Sequence, residues 1–164
     1  IQNVRTHQQE FKSYAVGQEV REEMAVHVML KIVEQFHQGN LPLTGGELSR
    51  SLSIPVRLVR ETLERLATEG LVREIYGAEP RFQPGRNPEL ISVLDVFRAM
   101  RDGRAQNRWQ LPEEARYPLL EKLLENQRSV EARDLGGIAM PDLLEGLEKN
   151  EGAIQGSGHE IRPL

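Results

Sequence analysis

The 164-residue chain contains no cysteine, which excludes disulfides, thiolate metal sites and a cysteine-held iron-sulfur cluster. It also lacks any apolar run near the ~20 residues that a membrane-crossing helix needs, and no signal-peptide pattern opens it. A positive excess is missing as well. The formal net charge is -4, whereas nucleic-acid-binding domains usually carry surplus Lys and Arg that displace counterions from phosphates. Basic and acidic residues nearly cancel from Ile1 to Gly103, so no basic domain hides in front of an acidic tail. Enzyme signatures are absent: there is no glycine-rich loop leading to Lys-Ser or Lys-Thr, no HExxH and no GxSxG. The pairs Gly45-Gly46 and Gly136-Gly137 read as a relaxed helix start and a hinge. Glu113 and Glu114 suit a helix N-terminus, where the helix dipole favours carboxylates. His27 and His37 stand ten residues apart without a neighbouring acid or thiol to complete a ligand set, and His7 and His159 lie in the chain ends. No catalytic residue, metal or cofactor is expected.

What is present is organised around Leu43 to Ile75. Thr44 is a helix N-cap, and Glu47 three residues on completes a capping box. The helix they open runs to about Leu52. Ser53-Ile54-Pro55 is the turn, because proline cannot continue a helix but suits the start of one. A second helix follows, with Val59, Leu63 and Leu66 at helical spacing and Leu58 and Thr62 beside them, and Gly70 closes it. Leu71 to Ile75 alternates as a strand. Tyr76-Gly77-Ala78-Glu79-Pro80 turns the chain into Arg81 to Gln83, and Pro84 ends the hairpin. Together these predict a mainly α fold: a winged helix-turn-helix with a two-stranded wing and appended C-terminal helices.

Four segments follow from the composition. Residues 1-18 are a polar lead-in, and the start at Ile1 rather than methionine reads as part of a longer protein. Residues 19-103 are the winged unit, beginning with a long helix whose stripe Val20, Met24, Val28, Leu30, Val33 and Phe36 is wide enough to pack on more than one side. It ends with a helix opened by Ser92 and Asp95 that buries Val93, Val96, Phe97 and Met100. Residues 104-148 are an appended helical segment: a polar linker with Trp109, a helix from Pro112 through Leu119, Leu120, Leu123, Leu124 and Val130, and a last short helix from Ile138 to Leu147. Residues 149-164 are a glycine-rich tail without core residues and are predicted to be disordered.

Two functions fit a winged helix. As a DNA reader, it would place the helix from Pro55 to Glu69 in the major groove, with Arg57, Arg60 and Arg81 as contacts. Against this, Glu61, Glu64 and Glu69 balance the arginines on that helix, and pairing such as Glu61 with Arg65 accounts for them as surface support. Its first turn offers no Asn, Gln, Ser or Lys for base edges. As an interaction module, it would bind a protein partner or itself through Val93, Phe97 and Met100 and through Leu119, Leu123 and Val130, whose apolar stripes exceed one small core. Such self-association would make a homodimer.

The runs IPVRLVRETLERLATEGLVREI and FQPGRNPELISVLDVFRAMRDG resemble winged-helix regulators of the IscR type, which use a helix after the wing for dimerisation. Cluster-bearing members hold iron-sulfur through cysteines that this chain lacks. A longer stretch is similar to the cytoplasmic C-terminal extension of YihY/BrkB-type (ribonuclease BN-like) inner-membrane proteins. The similar parts are Pro42 to Leu48, Ile54 to Val59, Leu63 to Leu71, Gln83 to Glu89, Val93 to Gly103 and Asp142 to Leu144. That resemblance implies a non-catalytic regulatory or docking domain on the cytoplasmic face of the inner membrane, with Arg5, Lys12 and Arg21 flanking a preceding membrane helix. It is the main expectation, and a DNA-binding regulator without an iron-sulfur cluster is the alternative.

Overall fold

The computed structural model describes residues 16-102 and 117-146. Helix α1 (Gln18–His37) ends at Gly39, whose φ of +66° is the left-handed conformation that stops a helix. Strand β1 (Leu43–Thr44) leads into α2 (Gly45–Leu52). Thr44 and Glu47 form the expected capping box: the Glu47 amide donates to the Thr44 hydroxyl at 3.2 Å and Glu47 accepts from the Thr44 amide at 2.8 Å. The turn between α2 and α3 (Val56–Thr68) is fixed by Ser53 in the left-handed region and by the Ser49 hydroxyl donating to the Ile54 carbonyl at 2.6 Å. Pro55 occupies the cap position before α3, where its missing N–H costs nothing.

Strands β2 (Val72–Ile75) and β3 (Arg81–Pro84) form the wing. The sheet has three strands rather than two, in the antiparallel order β1-β3-β2, with Leu43 opposite Phe82 and Val72 opposite Pro84. Two residues of strand are too short to leave a sequence pattern beside the cap signal of Thr44. Thr44 serves both roles. Gly85 closes the wing by donating its amide to the Leu71 carbonyl at 2.9 Å, and a Cβ there would fall on the Gly70 carbonyl oxygen. After a single 3-10 turn at Pro88–Leu90, α4 (Val93–Asp102) and α5 (Pro118–Gly136) follow, and residues 140-146 are helical.

The core lies where α1 meets α3, α4 and the sheet. Met29, Ile32, Leu48, Leu63, Leu66 and Leu71 are all essentially inaccessible; of the stripe read on α1, Val28, Leu30 and Val33 are buried, whereas Val20 and Phe36 at its two ends are half exposed. Met140 joins the inaccessible residues at 0% exposure. The segment expected as an appendage therefore ends inside the winged core: Met140 donates to the Ile91 carbonyl at 2.9 Å, Val93 donates to that of Ile138 at 3.0 Å, and Ser92 bridges to Ala139. The lead-in up to residue 15, the linker with Trp109 and the Pro112 helix start, Gly103, and the tail lie outside the described residues.

Candidate nucleic-acid interface

Helix α3 buries Leu58, Val59, Thr62, Leu63 and Leu66, and helical spacing then turns Arg57, Arg60, Glu61 and Glu64 outward. Arg57 donates from Nε to Glu61 Oε1 at 3.2 Å, with both side chains about half exposed. The pairing expected between Glu61 and Arg65 does not form. Arg65 is instead turned toward α4 and donates to the Met100 carbonyl, one of the unpaired carbonyls at that helix end. Arg60 is exposed and makes no ion pair among the described residues. It lines a cleft of about 590 Å³ between α3 and the wing, facing Glu74, Glu79 and Phe82. Arg81 is not a wing-tip residue. It donates to the Pro42 carbonyl at 2.6 Å and to Glu47 Oε2 at 3.2 Å, stapling β3 to the start of α2. The Glu47 carboxyl is held below its ordinary range, first by the Thr44 amide, which together with the Arg81 charge, the Thr44 hydroxyl and the Arg50 charge outweighs the opposing effect of burial.

The residues expected on an interaction surface separate into two groups. Val93 and Met100 are buried within the chain, and Phe97 packs partly against the core and lies under the Arg101 guanidinium at 5.4 Å. Leu119, Leu123 and Val130 on α5 stay exposed, at 73%, 58% and 44%. No residue of α5 is buried among the described residues. Only its last turns touch the winged unit, through Leu135 and through Gly136 against Leu94.

One ionic joint fixes that contact. Arg101 binds Glu22 of α1 bidentately, at 2.8 and 3.1 Å, and reaches Glu131 of α5 with its other nitrogen. Sequence reading missed this joint because its members lie 79 and 30 residues apart. Burial pushes the Glu22 carboxyl up, but hydrogen bonds from Arg101 and Gln18 and the Arg101 charge outweigh it, and the group is held below the usual carboxylate value of 4.5. The folded carboxyl thus ionises at lower pH than the unfolded one. Over that interval the unfolded chain binds more protons, so this contribution is present above pH 4.5 and is lost as pH falls through the folded value. Urea midpoints measured down through this window are expected to fall more steeply for the native chain than for Glu22→Gln. Parallel curves would refute the role of the joint.

A helix-turn-helix whose second helix is exposed on one face beside a two-stranded wing defines the winged-helix fold. The family model described as "Rrf2: Iron-dependent Transcriptional regulator" matches residues 19–146, and the chain belongs to that family. It is accordingly a regulator and not an enzyme. No curated protein matches it in sequence. Among solved structures, the IscR of T. potens is similar with a TM-score of 0.63 at 16% identity, over 85% of this chain and 93% of that one. CymR, the global cysteine regulator of B. subtilis, gives 0.58 at 18% identity, over 76% and 93%. The Staphylococcus aureus CymR gives 0.57 at 17%, over 77% and 96%.

These findings overturn the main expectation of a docking domain on an inner-membrane protein, and nothing in them supports the YihY/BrkB origin. No described helix is long and apolar enough to cross a membrane. The IscR-type resemblance is the one that holds. Iron, which the family description names, does not fit the donors on hand: the sequence has no thiol, and no three His, Asp or Glu converge among the described residues.

Proposed function

We propose that this chain is a transcription regulator that binds DNA as a homodimer, with α3 in the major groove and α5 forming the contact between two copies. The observation that carries the reading is α3 itself, with its apolar face spent in the core and Arg57 and Arg60 turned outward beside the wing. Net negative charge does not oppose this as strongly as the sequence suggests. DNA meets one face of the molecule, so the charge on that face counts for more than the total. The acidic surface does limit phosphate contacts, so non-specific affinity is low and its salt dependence shallow.

Self-association follows from α5. Isolated helices of this length are marginal in water, and tertiary packing supplies most of a helix's stability. Here Leu119, Leu120, Leu123, Leu124 and Val130 form one exposed stripe on a helix without a buried residue. A second copy offers the same stripe in two-fold register. A DNA-binding role places the chain in the compartment that holds the chromosome.

Fluorescence anisotropy at about 50 mM and about 200 mM salt, with duplexes first selected from a randomised pool, tests the reading. Binding at the lower salt is expected, with affinity for a selected site falling roughly 10-fold in Arg57→Ala and in Arg60→Ala. Absence of binding at low salt, or variants indistinguishable from the native chain, would sink it.

A further inference from the structure

Resting on that DNA-binding reading, we infer that Tyr76, at the tip of the wing, is a wedge that enters the minor groove beside the α3 site and opens a base step there. Tyr76 is 91% exposed, more than any other large apolar or aromatic side chain among the described residues. It follows the last residue of β2, and Ile75, 37% exposed, and the exposed Ala78 stand beside it in the turn that leads to Pro80. Such a tip is apolar. The charged residue of the turn is Glu79, and the arginines of the wing lie elsewhere: Arg73 is paired with Gln83 nearer the base of the hairpin, and Arg81 is spent on Pro42 and Glu47. The tip therefore has no cation to offer a phosphate, and its carboxylate is repelled by one.

What such a tip can use is its surface. The minor groove is about 6 Å wide, room for an aromatic ring, and apolar side chains that enter it part neighbouring base pairs and kink the duplex by roughly 20–90° toward the major groove. Stacking on a base face needs no charge and no hydrogen-bond pattern. A wedge also needs a rigid mount, because a yielding hairpin would bend before the base pairs part. The mount is present: Ile75 is paired with Arg81 in the rung that carries the tip, and Arg81 donates to the Pro42 carbonyl at 2.6 Å and to Glu47 Oε2 at 3.2 Å. The arginine expected as a DNA contact thus serves as the brace. Selectivity then comes from the DNA itself. Pyrimidine–purine steps are the most easily unstacked, so the operator carries a TA or CA/TG step where the wing lands, outside the bases that α3 reads.

The test uses the full chain and duplexes selected from a randomised pool, with anisotropy reading affinity across salt and energy transfer between dyes on the duplex ends reading the bend. The native chain is expected to bend its selected duplexes and to recover a pyrimidine–purine step at a fixed distance from the other invariant bases. Tyr76→Ala should bind roughly 10-fold more weakly, leave the duplex straight and lose the preference at that step, with the salt dependence of affinity unchanged because no phosphate contact is removed. Tyr76→Phe keeps the ring and should behave as the native chain. At a position so exposed neither change disturbs the fold, and thermal melts matching the native one check this. Straight duplexes with the native chain, a native bend in Tyr76→Ala, or a loss in Tyr76→Phe equal to that in Tyr76→Ala would overturn the wedge and leave DNA binding intact. If the native chain recovers no duplex, the DNA-binding role falls and the wedge with it.

Discussion

Leu123→Glu is expected to halve the particle mass in solution and to weaken operator binding by on the order of 100-fold, while the winged unit stays folded. Leu123 is 58% exposed on a helix that touches the winged unit only through its last turns, so the substitution costs the isolated protomer little. In a two-fold dimer each change appears twice, and two carboxylates would enter one apolar seam. Desolvating them without partners costs more than the lost apolar contact. DNA binding falls because a dimer holds its second reading helix at a high effective concentration beside the second half-site, an advantage of about 100-fold or more that two free protomers lack. Light scattering and anisotropy on the same samples read both effects. A native chain that is monomeric at high concentration, or a variant that remains dimeric, would refute the α5 interface.

Met140→Ala is the stability counterpart, with an expected loss of about 3 kcal/mol in urea unfolding. The Met140 side chain is fully enclosed, and its removal leaves a cavity under the backbone bonds that join Ile91 and Val93 to residues 138 and 140. The same change loosens the far end of α5, because the chain runs from Gly136 into this docking site within four residues. A loss below about 1 kcal/mol would mean that residues 138-144 contribute little to holding the core together.

Much of this architecture was readable, and the readable parts share a cause. Thr44 with Glu47, Pro55, Gly70 and the stripe Val59, Leu63, Leu66 are local signals, each satisfied within a few residues of chain. These same residues carried the mistaken resemblance to a membrane-protein extension. They specify a winged helix and say nothing of what it binds, so similarity through them transfers the scaffold and not the role. The misplaced features were long-range. Arg65 and Arg81 looked like surface cations until the fold brought Met100 and Pro42 to them. Val93 and Met100 were read both as the buried face of their helix and as part of an interface, and the fold uses them up in its own core. The candidate site was legible as positions, since Arg57 and Arg60 do face outward. Which partner Glu61 takes was not legible, because it has an arginine four residues away on either side, Arg57 and Arg65.

Gly85 has a consequence for how such a molecule meets a double helix. Its α-carbon rests against the Gly70 carbonyl at the end of α3, and its amide is bonded to Leu71 where β2 begins. The end of the recognition helix and both ends of the wing are thereby gathered at one point with no side chain between them. Wing and helix form a caliper of fixed opening, and the distance between a major-groove and a minor-groove contact is built into the protomer.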